Sequence, residues 1–300
     1  MVEDLTTVTW LAVGGRWLAY ACTLWIGGTV IAELLLVRAA VDVGPLGRRL
    51  AGPALGVAAG LVALRTGLLW AQAWLLFALD EPVTSDLVWL VATRTSWGAR
   101  WICQLVAAIV ALIGFALRRA GVPIGRSVAA LGCAGAVLSV PLTGHAVEQG
   151  WLSLPAGAQM LHVASATAWV GTLAVLAGLV LRPGTATAHD QVARAIHRFS
   201  PLALAASATL VLSGATTSWL YVGELSALWT TAYGRTLALK ILLFAATASV
   251  GYVNWRRVCP QLGAGAGTER LRRSVAIELT WATVLLLVTA ALVALPMPMR

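Results

Sequence analysis

Residues 99–117 read ARWICQLVAAIVALIGFAL. Coiled as a helix at 1.5 Å per residue, a run of this length reaches across about 30 Å of hydrocarbon. A buried helix of a soluble protein can be equally apolar, but it does not return again and again at one length with arginines at alternate boundaries. Here the pattern recurs, and the expected spans are 16–37, 51–79, 99–117, 127–144, 158–181, 200–222, 235–255 and 274–295. Between them lie breaker-rich loops such as Val43-Gly44-Pro45, Gly121-Val122-Pro123, Arg182-Pro183-Gly184 and the Gly263–Gly267 run. The sequence therefore predicts an all-α fold, a polytopic membrane helical bundle of about eight transmembrane helices.

Composition agrees with a chain whose main solvent is lipid. Of the 300 residues, 59% are hydrophobic and 11% charged, where a soluble domain carries about 25% charged residues. Mean hydropathy is +0.84. Glu3 and Asp4 stand where a secretory signal carries basic residues, and no small-residue cleavage site follows the first apolar run, so the first helix is expected to be retained. The net charge of +9 comes from arginines dispersed at helix boundaries, which argues for topology and against a nucleic-acid partner. The four cysteines form no CxxC pair. Cys22, Cys103 and Cys133 fall inside apolar spans, where a cysteine reads as a small packing residue.

Lysine and arginine are retained on the cytoplasmic side of a bilayer. The loops at 38–49, 118–126, 182–198 and 256–273 hold 14 arginines against 3 acids, a net of +11. The opposite loops and the two ends hold 5 arginines against 7 acids, a net of −2. This places the Arg-rich loops in the cytoplasm, with both termini outside.

The chain also resembles itself. Trp25-Ile26-Gly27-Gly28 returns as Trp169-Val170-Gly171-Thr172, Thr95-Ser96-Trp97-Gly98 as Thr231-Ala232-Tyr233-Gly234, and Arg126-Ser127-Val128-Ala129 as Arg273-Ser274-Val275-Ala276. Order and spacing suggest two parallel four-helix repeats, because an even number of spans per half preserves orientation. The expected division is residues 1–126, the amino-terminal membrane helices, and residues 127–300, all within one integral membrane unit.

Polar groups in hydrocarbon cost several kcal/mol unless paired or hydrated, so those inside spans are the functional suspects. His145 lies at the outer end of the fourth span, and His162 one turn into the fifth from the same side. Two imidazoles at one depth can ligate copper or haem iron. Met160 lies nearby, and Met297 and Met299 form a Met-x-Met pair in the outer tail. Thioether sulfur favours Cu(I) over hard cations. Met160 and His162 are two apart on a helix and so do not share a face.

Deeper in the bilayer stand Lys240, Asn254 and Glu278, with Asn254 the better depth match for Glu278. Arg65, near the middle of the second span, is the most costly charge, and Glu33 in the first span is its expected counter-charge. His189 and His197 are expected to be solvated in a cytoplasmic loop. No phosphate-cradling glycine motif, nucleophile elbow or HExxH zinc helix is present, so no enzymatic activity is expected.

Gly144-His145-Ala146, followed by Leu161-His162-Val163-Ala164-Ser165-Ala166-Thr167-Ala168-Trp169-Val170-Gly171, resembles the GHA and LHLLAAALWLGG pattern of the CopD/PcoD copper resistance family. Arg198-Phe199-Ser200, the Leu212-Ser213-Gly214 turn, Tyr233-Gly234-Arg235 leading to Lys240, Asn254 with Arg256 and Arg257, and Arg273-Ser274-Val275 with Glu278 follow in the family's order. The resemblance covers residues 140–295. It implies a cytoplasmic-membrane protein of copper homeostasis that moves copper inward from the periplasm, beside a CopC-like periplasmic carrier supplied as a separate polypeptide. The reading is thus a copper permease with an outer His/Met site and an inward polar track. Two alternatives stand beside it: a b-type haem electron-transfer protein with His145 and His162 as axial ligands, and an assembly factor that holds copper without translocating it.

Overall fold

The computed structural model describes residues 2–38, 43–78, 81–144, 150, 152–180, 189–222, 224–258 and 265–295. The helices are α1 (Val2–Arg38), α2 (Val43–Phe77), α3 (Ser85–Arg94), α4 (Ser96–Arg119), α5 (Gly125–Ser139), α6 (Leu154–Ala166), α7 (Thr172–Val180), α8 (His189–Val222), α9 (Ala227–Thr230), α10 (Ala232–Val253) and α11 (Gly265–Ala294). No strand occurs among the described residues.

Eight stretches are long and apolar enough to cross a membrane: Thr7–Arg38, Leu46–Phe77, Ser96–Arg119, Gly125–Thr143, Leu154–Gly178, Ile196–Tyr221, Ala232–Arg257 and Arg272–Ala294. The fold is the all-α polytopic bundle that the apolar runs predict. Several expected loops turn out to be helical. Val43-Gly44-Pro45 opens α2, where a proline in the first turn lacks only an N–H that would have had no partner. The segment with His189 and His197 is the start of α8, and α11 begins within the glycine run at Gly265.

Without a hydrophobic drive between helices in lipid, association rests on close packing of small residues. The seam of the first half shows this: Ala51, Ala54 and Ala58 of α2 meet Ala108 and Ala111 of α4, and Ala129 and Ala136 of α5. A second core joins Ala32, Leu35 and Leu36 of α1 to Trp169, Leu176, Phe199 and Val275 from the second half. Helix α1 is therefore shared by both. Outward, Trp219, Leu152, Leu131 and Leu212 are each at least 70% exposed, as side chains facing acyl chains should be.

The repeated motifs have local structural meaning. Thr95 and Thr231 are both extended N-caps, and each hydroxyl accepts the N–H three residues on, from Gly98 and Gly234, at 2.9 Å. Each also donates back across the corner, Thr95 to the Val91 carbonyl at 2.6 Å and Thr231 to that of Ala227 at 2.7 Å. The other motif pair meets itself. A Cβ on Gly28 would lie 2.2 Å from the Gly171 carbonyl carbon, and one on Gly171 would lie 2.1 Å from the Leu24 oxygen. Only glycine lets the two backbones approach so closely.

Candidate functional site

The polar residues of the second half form a column. On α10, Lys240, Phe244, Thr247, Gly251 and Asn254 recur at intervals of four, three, four and three, which places them on one helix face. Opposite stands the broken helix carrying His162 and Trp169, seven residues apart. Between these lies a five-residue π turn, Thr167–Gly171, that separates α6 from α7. Trp169 meets Phe244 edge to face, with ring centroids 6.0 Å apart.

At the upper end, His162 is half-buried and its Nδ1 lies 3.0 Å from Ser213 Oγ on α8. The hydroxyl's own hydrogen goes to the Thr209 carbonyl, 2.7 Å away. With its hydrogen so placed, Ser213 can accept from the imidazole, an arrangement that corresponds to the tautomer with the proton on Nδ1 and a lone pair on Nε2. A ring fixed in this way presents one nitrogen as a ligand. Gly214 faces the ring, where a Cβ would meet His162 Cε1 at an ordinary contact distance of 3.5 Å. The Leu212-Ser213-Gly214 stretch, read from sequence as a turn, lies inside α8. Lys240 lies within electrostatic reach of the same ring. Met160 is half-buried on α6. His145, Met297 and Met299 lie outside the described residues.

At the lower end, Glu278 of α11 is only 3% exposed. Trp169 Nε1 donates to its Oε1 at 3.1 Å, and Asn254 Nδ2 donates to its Oε2 at 2.9 Å. The pairing of Asn254 with Glu278 is the one the depths predict. Trp169 is the partner that sequence reasoning missed, although the π turn holding it is the resemblance motif itself. Asn254 opens a second π turn, Asn254–Val258. Among the described residues, both π turns therefore supply a donor to one carboxylate, and π turns are rare and concentrate at functional sites. Beside this carboxylate lies a cavity of about 130 Å³ between α8 and α10, lined by Trp169, Phe199, Ser200, Tyr252, Asn254 and Glu278 among others.

The first half departs from expectation. Glu33 does not neutralise Arg65; it takes Arg118 Nη2 at 2.5 Å and Nε at 3.1 Å. The reason is depth. Arg65 sits beside Tyr20 and Cys22, and Glu33 lies more than ten residues further along α1, about 16 Å or more at helical rise. Arg65 is 6% exposed and its Nε has no hydrogen-bond partner among the described residues. Gln104 is satisfied by the Ser139 carbonyl at 2.7 Å and by Thr143 Oγ1 at 3.2 Å. No group of three or more His, Cys, Asp or Glu side chains comes together among the described residues.

Residues 193–292 match the model for copper resistance protein D. Residues 4–154, half of the chain, match that for the copper resistance protein D-like N-terminal domain. The chain belongs to the copper resistance protein D family. A further relative is a protein named copper transport protein CutJ, from Bacillus subtilis (strain 168), 27% identical over 164 residues. That match covers 55% of this chain and 29% of the relative, so the chain spans well under half of the relative's length. No solved structure matches. As a copper resistance protein D family member, the chain carries its inner carboxylate column within the span of the CopD match, while His162 falls between the two matched segments.

Proposed function

We propose that this protein is a copper permease of the bacterial inner membrane, which takes the ion from the periplasmic face and passes it inward. The observation that carries this reading is the 3.0 Å contact of His162 Nδ1 with the Ser213 hydroxyl, which in the Nδ1–H tautomer leaves Nε2 as a neutral nitrogen donor. His145, Met160, Met297 and Met299 supply the remaining soft donors of the outer site. A CopC-like periplasmic carrier would deliver the ion to it. The inward track follows the α10 face through Lys240 to Asn254 and Glu278, with lysine acting through its charge. Arg65 and Glu33 stand apart from that track: Glu33 holds Arg118, and Arg65 is the polar feature of the first half. The name of the Bacillus relative, a copper transport protein, agrees in substrate. The asymmetry of arginines supports the inward orientation, with both termini periplasmic.

Copper uptake into proteoliposomes holding the purified full chain tests this. His162→Ala and His145→Ala are each expected to lower uptake about tenfold or more, the scale on which lost ligands or their supports act. Wild-type uptake in both variants would remove the histidines from the site. A Soret band in the purified protein would turn the same two residues into haem ligands.

A further inference from the structure

Glu278 has a set of partners that fits one particular guest. Each carboxylate oxygen faces an N–H, from Trp169 and from Asn254. The carboxylate is thus held by hydrogen bonds and not by a counter-charge. Carboxylate and amide oxygens are in any case poor donors for Cu(I). A proton is different, because it needs only one lone pair, and each oxygen has a second.

The protonated form has its own partner waiting. Asn254 Oδ1 is buried and has no hydrogen-bond partner among the described residues. A half-turn of the amide exchanges its Nδ2 for Oδ1, so that the new carboxyl O–H donates to Oδ1 in place of accepting from Nδ2. The Asn254–Glu278 contact can thus be kept in both charge states without moving the backbone. The turn gives Oδ1 the donor it lacks in the charged state, and Nδ2 gives up the carboxylate as its acceptor.

Among the described residues, no charged side chain other than Glu278 lines the cavity. Tyr252 of α10 is the other titratable side chain lining the cavity, and α8 contributes the hydroxyls of Ser200 and Ser207. His197 and Arg198 of α8, Arg256 and Arg257 of the second π turn, and Arg272 and Arg273 of α11 are exposed and do not line it. Glu33 of α1 is held by Arg118, and Lys240 belongs to the His162 end of the column. The cavity reaches Ile196 and Val275, near the Arg-rich ends of α8 and α11.

We infer that Glu278 is a reversible proton-binding site opening toward the Arg-rich side, and that its loading is coupled to copper movement through the Trp169-bearing π turn. The coupling rests on the copper permease reading; the proton site does not. The π turn is the shared element, because His162 precedes it on the same broken helix and Trp169 within it bonds Glu278.

Two measurements on the reconstituted full chain separate these parts. Glu278→Gln keeps an acceptor for Trp169 and an amide donor for Asn254 Oδ1, so it should fold as a copy of the protonated state. In the infrared difference between alkaline and acidic buffer, wild type should gain a carboxylic C=O band that Glu278→Gln lacks. Identical difference spectra would overturn the proton site. In Cu(I) uptake with an imposed pH gradient, wild-type rates should change several-fold with the gradient and Glu278→Gln rates should not. Copper uptake indifferent to the gradient in wild type, or following a sodium gradient at fixed pH, would overturn the coupling. If wild type carries no copper at all, the permease reading and the coupling fall together, and the infrared result alone decides Glu278.

Discussion

Ser213 is the least conspicuous residue of the proposed outer site. Serine and threonine in these spans mostly return their hydroxyl to the carbonyl four residues back, as Thr23, Thr29 and Thr247 do. Ser213 does the same toward Thr209 and, by doing so, becomes an acceptor for His162. The sequence marks it only as part of the Leu212-Ser213-Gly214 motif; its role was not legible, because the habit is common and the partner is on another helix. His162, Asn254 and Glu278 were legible for the opposite reason: imidazole, amide and carboxylate are costly in hydrocarbon and stand out wherever they occur. Charge pairing was less legible. A shift along one helix separates Arg65 from Glu33, and Arg118 reaches the carboxylate from a third helix. Ser213→Ala should free the His162 ring and weaken copper binding about tenfold while leaving the fold intact. Copper titration of the purified variant checks this, and unchanged affinity would show that the ring needs no such support.

At the scale of elements, length and apolarity located the spans, because crossing a bilayer imposes both. The breaks within them were not foreseen. The fifth span is α6, a π turn and α7 in succession, and a π turn depends on tertiary partners that a single stretch of sequence does not display. Its setting explains its sequence. Gly171 lies against the backbone of α1 at Leu24, and Trp169 reaches Glu278 from the same turn. Gly171→Leu should therefore force α1 away and destabilise the bundle by about 1–3 kcal/mol or more, the usual range for overpacking. Thermal unfolding in detergent should show a clear drop in midpoint, larger than that of Gly157→Leu, where a Cβ meets nothing within 4 Å. Equal midpoints would mean that the crossing is looser than its geometry.

For the molecule as a whole, eight spans and one strongly asymmetric set of arginines are the basis of the proposed orientation. The proposed placement can be checked without transport. In a background with the native cysteines replaced, Ser226→Cys, beside α9, should react with an impermeant maleimide in whole cells. Ala120→Cys, at the Arg-rich end of α4, should react only after permeabilisation. The reverse pattern would invert the molecule and turn import into export. The internal correspondence reaches the same scale: the two threonine-capped corners share one hydrogen-bond pattern, and the two Trp-x-Gly motifs pack against each other near the middle of the bundle. The functional column nevertheless belongs to the second half alone, because its carboxylate, amide and imidazole have no counterparts at the matching positions of the first.

Copper-edge X-ray absorption on the full chain loaded with Cu(I) tests the proposed outer site most directly. Wild type should show imidazole nitrogen scattering mixed with sulfur, and His162→Ala should lose imidazole scattering. A copper spectrum identical in the two proteins would contradict it.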